Sequence, residues 1–113
     1  MELNNFGAIM KFALECENEL ASMLEKNPGN YGEFLKQTQK NIKLLERTRR
    51  ECINEAVLQP ISGLRSENYI FQTSEPLAEV ISKMASFYND AAEKLPVDEA
   101  KRLFRQIAVK RQI

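Results

Sequence analysis

Four prolines, at positions 28, 60, 76 and 96, do most to limit what this chain can fold into. Proline fixes its own φ, lacks a backbone N–H and breaks a helix from within. Between these points apolar residues recur at three-and-four spacing, the period of a helix with one buried face. The chain therefore reads as four amphipathic helices and an all-α fold.

Asn4 or Asn5 can cap a first helix over about residues 6–26. Its stripe is Phe6, Ile9, Met10, Ala13, Cys16, Leu20 and Leu24. Glu17 lies inside that stripe, while Glu15 and Glu19 project toward solvent. A carboxylate on a buried face needs a partner. Asn27-Pro28-Gly29-Asn30-Tyr31-Gly32 is a dense turn signal that sends the chain back. A second helix then runs from about Gly32 to Gln59, where Pro60 stops it. Its inward face is Phe34, Leu35, Thr38, Ile42, Leu45, Arg49, Cys52, Ile53 and Ala56, with Glu46 at the edge one turn before Arg49. Lys40, Lys43, Arg47 and Arg50, interleaved with Glu51 and Glu55, form a solvated face.

The connection over 60–73 carries Ile61, Leu64, Tyr69, Ile70 and Phe71, too apolar for a free linker. Fully extended it spans about 45 Å, longer than a twenty-residue helix of about 30 Å. It can thus run the length of a bundle as a long crossover. Ser74-Glu75-Pro76 opens the third helix, with Ser74 as cap and Pro76 in the first turn. Leu77, Ile81, Met84, Tyr88, Ala91 and Leu95 make its seam. Leu95-Pro96-Val97-Asp98 breaks and recaps the chain, and a fourth helix from about Glu99 buries Leu103, Phe104, Ile107 and Ala108. Lys101, Arg102, Arg105, Lys110 and Arg111 make this end basic, which suits the negative end of a helix dipole and a solvated surface.

At 113 residues, residues 1–113 make one domain with a single core. There is no apolar run of about 20 residues and no basic-then-apolar leader, so the expected address is cytoplasmic, with no membrane partner. Sixteen basic residues balance sixteen acidic ones, which argues against nucleic acid as the main partner. Histidine is absent altogether, removing the commonest metal ligand and general base. Cys16 and Cys52 are offset by about 10 Å along antiparallel helices, beyond disulfide reach, and read as buried thiols. No Gly-rich phosphate loop or CxxC occurs, and the serines have no histidine to activate them.

Ala13-Leu14-Glu15-Cys16-Glu17, followed by Leu20 and Met23-Leu24, resembles the first helix of rubrerythrin-like and other ferritin-like proteins. Phe87-Tyr88-Asn89-Asp90-Ala91-Ala92-Glu93-Lys94 and Leu103-Phe104-Arg105-Gln106-Ile107-Ala108 resemble that family's aromatic pair, turn and next helix. The resemblance implies a ferritin-like four-helix bundle with one long crossover between helices two and three. Di-iron members use a glutamate from each of two helices and Glu-x-x-His from each of the other two. Carried onto this chain, Glu17 and Glu46 match two glutamates, and Arg49 stands at the histidine. Ile81 falls at the third-helix glutamate and Arg111 at the last one, so most ligands are gone. The expectation is a buried cluster of Glu17, Glu46 and Arg49 at the former metal position, with no metal, cofactor or catalytic residue; the alternative is a plain helical face, with Glu46 paired to Arg50 at i+4 on the surface and Arg49 snorkelling between helices.

The leading functional reading is a non-catalytic bundle acting through self-association, as a homo-oligomer such as a dimer, or through a protein partner, with Tyr69, Ile70 and Phe71 as candidate contact surface. One alternative is a degenerate ferritin-like oxidoreductase that keeps a metal on Glu17, Glu46 and other carboxylates. A third is a helical nucleic-acid-binding or regulatory module using Lys43, Arg47, Arg50 and the basic tail, whose binding would depend strongly on salt.

Overall fold

Asn5 opens the first helix by accepting a hydrogen bond from the Ala8 N–H through its side-chain oxygen at 2.8 Å. That satisfies one of the donors a helix start leaves unpaired. The computed structural model describes residues 2–26, 32–56, 60–72 and 74–111, with backbone alone at 53–56. Expectations for the turn at 27–31, the faces of Ile53, Glu55 and Ala56, the helix end at 57–59 and Thr73 fall outside the described side chains or residues.

The described residues form four α-helices: α1 Phe6–Glu25, α2 Gly32–Ala56, α3 Leu77–Lys94 and α4 Asp98–Lys110, with one 3₁₀ turn at Ser66–Asn68. They contain no β-strand, only an isolated bridge between Glu2 and Arg65. None of these helices is long and apolar enough to cross a membrane. The chain is all-α with four helices, compatible with a four-helix bundle. Helices α1 and α2 pack as one hairpin and α3 and α4 as another, while α1 also meets α3 and α2 meets α4.

Every residue of the expected α1 stripe is buried, and so are Leu14 and Met23. The α3 seam also holds at Ile81, Met84, Tyr88, Ala91 and Leu95, but the buried face is wider and takes in Val80, Ala85, Phe87 and Ala92. Phe87 lies at the middle of an aromatic cluster, with its ring centroid 5.1 Å from Phe12, 5.3 Å from Tyr69 and 5.1 Å from Tyr88. Edge-to-face rings at such distances add to the stabilisation from buried area alone.

The N-terminus and the 60–72 connection are stitched together. Leu3 N–H donates to the Leu64 carbonyl at 2.8 Å, and Ile61 N–H to the Asn4 carbonyl at 2.9 Å. These bonds set Ile61 and Leu64 into the core. Gly63 between them has φ +84°, a left-handed conformation that costs glycine little. At the far end Lys83 holds the connection to α3, donating to Glu75 Oε1 at 2.7 Å and to the Ile70 carbonyl at 3.3 Å. The start of α3 differs from expectation. Pro76, not Ser74, is the capping residue, and it makes no side-chain cap. Its carbonyl accepts from Glu79 and Val80 N–H, and its own missing N–H leaves no donor to satisfy.

Candidate functional site

The inner seam of α2 is set by polar as much as apolar residues. Thr38, Asn41, Leu45, Thr48 and Cys52 are buried among its described side chains, at alternating spacings of three and four. Phe34, Leu35 and Ile42 are only partly buried, flanking the seam. Arg49 follows Thr48 by one residue, a rotation of about 100°, and is exposed, as is Glu46. The expected Glu17, Glu46, Arg49 cluster is therefore corrected: Glu17 is buried, but the other two face outward beside Leu14 and Arg50 along a surface groove. The physical reason is that threonine and asparagine can turn inward when hydrogen-bonded. That frees the long guanidinium of Arg49 to stay in water. Exchanging Arg49 for Met is accordingly expected to change stability by no more than about 0.5 kcal/mol in urea unfolding. A loss of several kcal/mol would restore Arg49 to the centre.

The partner of Glu17 is Arg111. Its Nη2 donates to Glu17 Oε1 at 2.8 Å and to Oε2 at 3.0 Å, and both side chains are fully buried. The same nitrogen donates to Thr38 Oγ1 at 2.7 Å, and the Thr38 hydroxyl in turn donates to the Phe34 carbonyl at 2.7 Å. Asn41 Nδ2 donates to Glu17 Oε1 at 3.0 Å, and Gln37 Nε2 steadies Asn41 from one turn back at 2.8 Å. Arg111 itself caps the end of α4, its N–H bonded to the Ile107 carbonyl at 3.0 Å. One charged pair thus joins the first hairpin to the last turn of the second.

Tyr88 faces this pair from α3. Burial, and then the Glu17 carboxylate, hold its phenol well above the usual tyrosine range. The Nε and Nη1 of Arg111 have no hydrogen-bond partner among the described residues. Arg111 is thus buried, where the sequence places it in a solvated basic end. A signal was present: Arg111 follows Phe104, Ile107 and Ala108 by seven, four and three residues, so it continues the buried stripe of α4.

The chemistry open to this cluster is limited. Within it Glu17 is the one carboxylate, and a permanently charged guanidinium already covers both of its oxygens. A divalent cation does not fit there. Among the described residues no group of three or more Cys, Asp or Glu side chains is placed to hold a metal ion.

The two cysteines make no disulfide. Burial first, and then the neighbouring Glu17, Glu15 and Glu19 carboxylates, push the Cys16 thiol up to about 12. Burial, followed by the hydrogen bond to Asp90 at 2.5 Å, likewise raises Tyr69. All three of these groups are raised in the fold, so the stability they confer is full below their unfolded values, about 8.5 for thiols and 10 for phenols, and is lost as pH rises above them. Urea midpoints are expected to fall from about pH 9 and more steeply above about pH 10. Cys16→Ala should remove the earlier onset and leave the later one. A midpoint flat to about pH 11 would contradict these environments.

The remaining expected positions divide. Tyr69 is turned inward, against Phe87 and Asp90, and Phe71 is half-buried, so of the expected contact surface only Ile70 is open to solvent. Arg47, one of the arginines considered for nucleic acid, is bonded to Glu51 at 3.0 Å. Comparison of the chain with protein-family models, with curated proteins and with solved structures finds no match.

Proposed function

We propose that this chain is a non-catalytic helical bundle of ferritin-like layout that acts by association, with itself or with a protein partner. A buried ion pair holds its centre where a metal-bearing bundle holds ions. The observation that carries the reading is the Arg111 guanidinium seated on Glu17 at 2.8 and 3.0 Å, with Thr38 and Asn41 completing the cluster. Arg111 is also where the ferritin-like resemblance puts the last metal-binding glutamate, so a cation of the protein's own replaces both a ligand and the metal charge. The hairpin packing and the long connection described over 60–72 are compatible with that layout.

With the centre filled by protein groups, the surface is what remains for function. Metal analysis of protein purified without chelator is expected to find no iron or manganese at a stoichiometric level. Stoichiometric metal that is lost in a Glu17→Gln variant would overturn the reading and favour the oxidoreductase alternative.

A further inference from the structure

Ile70 and Val109 are the large apolar side chains left exposed among the described residues, at 55% and 67%. Their surroundings carry opposite charge. Ile70 borders a cleft of about 220 Å³ whose apolar walls are Phe12, Cys16 and Phe71 and whose rim is Glu15 and Glu19. Lys11 approaches Glu15 only to 4.0 Å, both being solvent-exposed, and Glu19 makes no ion pair among the described residues. Val109 lies on the outer face of α4 in line with Arg102, Arg105 and Gln106, all exposed and spaced as i, i+3, i+4 and i+7. Residues at that spacing share one side of a helix. Neither Arg102 nor Arg105 makes an ion pair among the described residues.

We infer that two copies of this chain associate head to tail, with Val109 of one copy entering the Phe12, Ile70 and Phe71 cleft of the other while Arg102 and Arg105 meet Glu15 and Glu19. The inference rests on the proposed association and names its surface. Charge complementarity selects the occupant. The chain has no net charge, yet Glu15 and Glu19 edge the cleft and Arg102 and Arg105 line α4. Both surfaces are solvent-exposed within one copy, so they meet only between copies. Such a contact joins different patches, and it closes into a ring or extends as a filament according to the rotation between copies. Its charged rim should make it weaken with salt.

Sedimentation velocity of the full chain from about 10 µM to about 1 mM tests it. The wild type should associate reversibly, and more weakly in high salt. Ile70→Lys and Val109→Glu should each weaken association at least about tenfold while keeping the wild-type circular dichroism. An equimolar mixture of the two variants should form a one-to-one complex, because one retains the α4 stripe and the other the cleft. Arg105→Glu serves as a second stripe variant if Val109→Glu does not fold. Association of the wild type that neither variant disturbs overturns this surface but leaves the association reading standing. A wild type that stays monomeric to about 1 mM overturns self-association itself. A monomer whose cleft instead binds a Leu/Lys amphipathic helical peptide, with loss of binding in Ile70→Lys, overturns the choice of occupant.

Discussion

Arg111→Met is expected to destabilise the folded chain by about 3–5 kcal/mol, read as a lower urea midpoint at unchanged slope. A residue in the last turn of a helix seldom carries such weight, because helix ends usually fray at little cost. Here the guanidinium at the end of α4 is fully buried and is the counter-charge of Glu17. Without it the Glu17 carboxyl stays in the core with no counter-charge, held by Asn41. Truncation before residue 111 should cost about as much. The double variant Glu17→Leu with Arg111→Met should recover most of the loss and can exceed the wild type. Arg111 Nε and Nη1 explain why: they are buried donors with no partner among the described residues, and their removal relieves a desolvation penalty.

Phe87→Ala is the second large effect, a loss of about 3–5 kcal/mol in the same measurement. Phe87 is fully buried, and its ring touches α1 through Phe12, the connection through Tyr69 and α4 through Phe104, the last at a centroid distance of 6.1 Å. An alanine leaves a cavity whose walls belong to three different segments, so collapse around it requires all of them to move. Phe87→Leu, which fills most of the volume, should cost less than about 1.5 kcal/mol. If alanine and leucine behave alike, the aromatic cluster does not bear the load assigned to it.

The elements were legible because their signals are local. Asn5, Pro60, Pro76 and Pro96 mark helix boundaries through their own backbone chemistry, and the α1 stripe from Phe6 to Leu24 repeats often enough to fix its buried face. Glu17 stood out for the same reason, as a charge inside an otherwise apolar row. Its partner was not legible by that logic. Reading α2 by its apolar spacing puts Thr38, Leu45 and Cys52 inside, as they are, but turns the rest of the face toward Ile42 and Arg49, whereas the seam passes through Asn41 and Thr48. Asn41 is inside because its side-chain amide donates to Glu17, which is a tertiary fact that no spacing in α2 encodes. Arg111 was hidden among five basic residues of one chain end, four of which do face outward or lie at the edge. Likewise Tyr69, Ile70 and Phe71 are three adjacent residues of similar character, and only the packing of Phe87 and Asp90 decides which of them turns in.

A buried Glu17–Arg111 pair clasps the two hairpins. A double-mutant cycle in urea unfolding, with Glu17→Leu, Arg111→Met and the two combined, measures it most directly. The account predicts that each single variant loses about 3–5 kcal/mol and that the pair together loses little, a coupling of at least about 2 kcal/mol. Single variants that each cost less than about 0.5 kcal/mol, or costs that simply add, would contradict it.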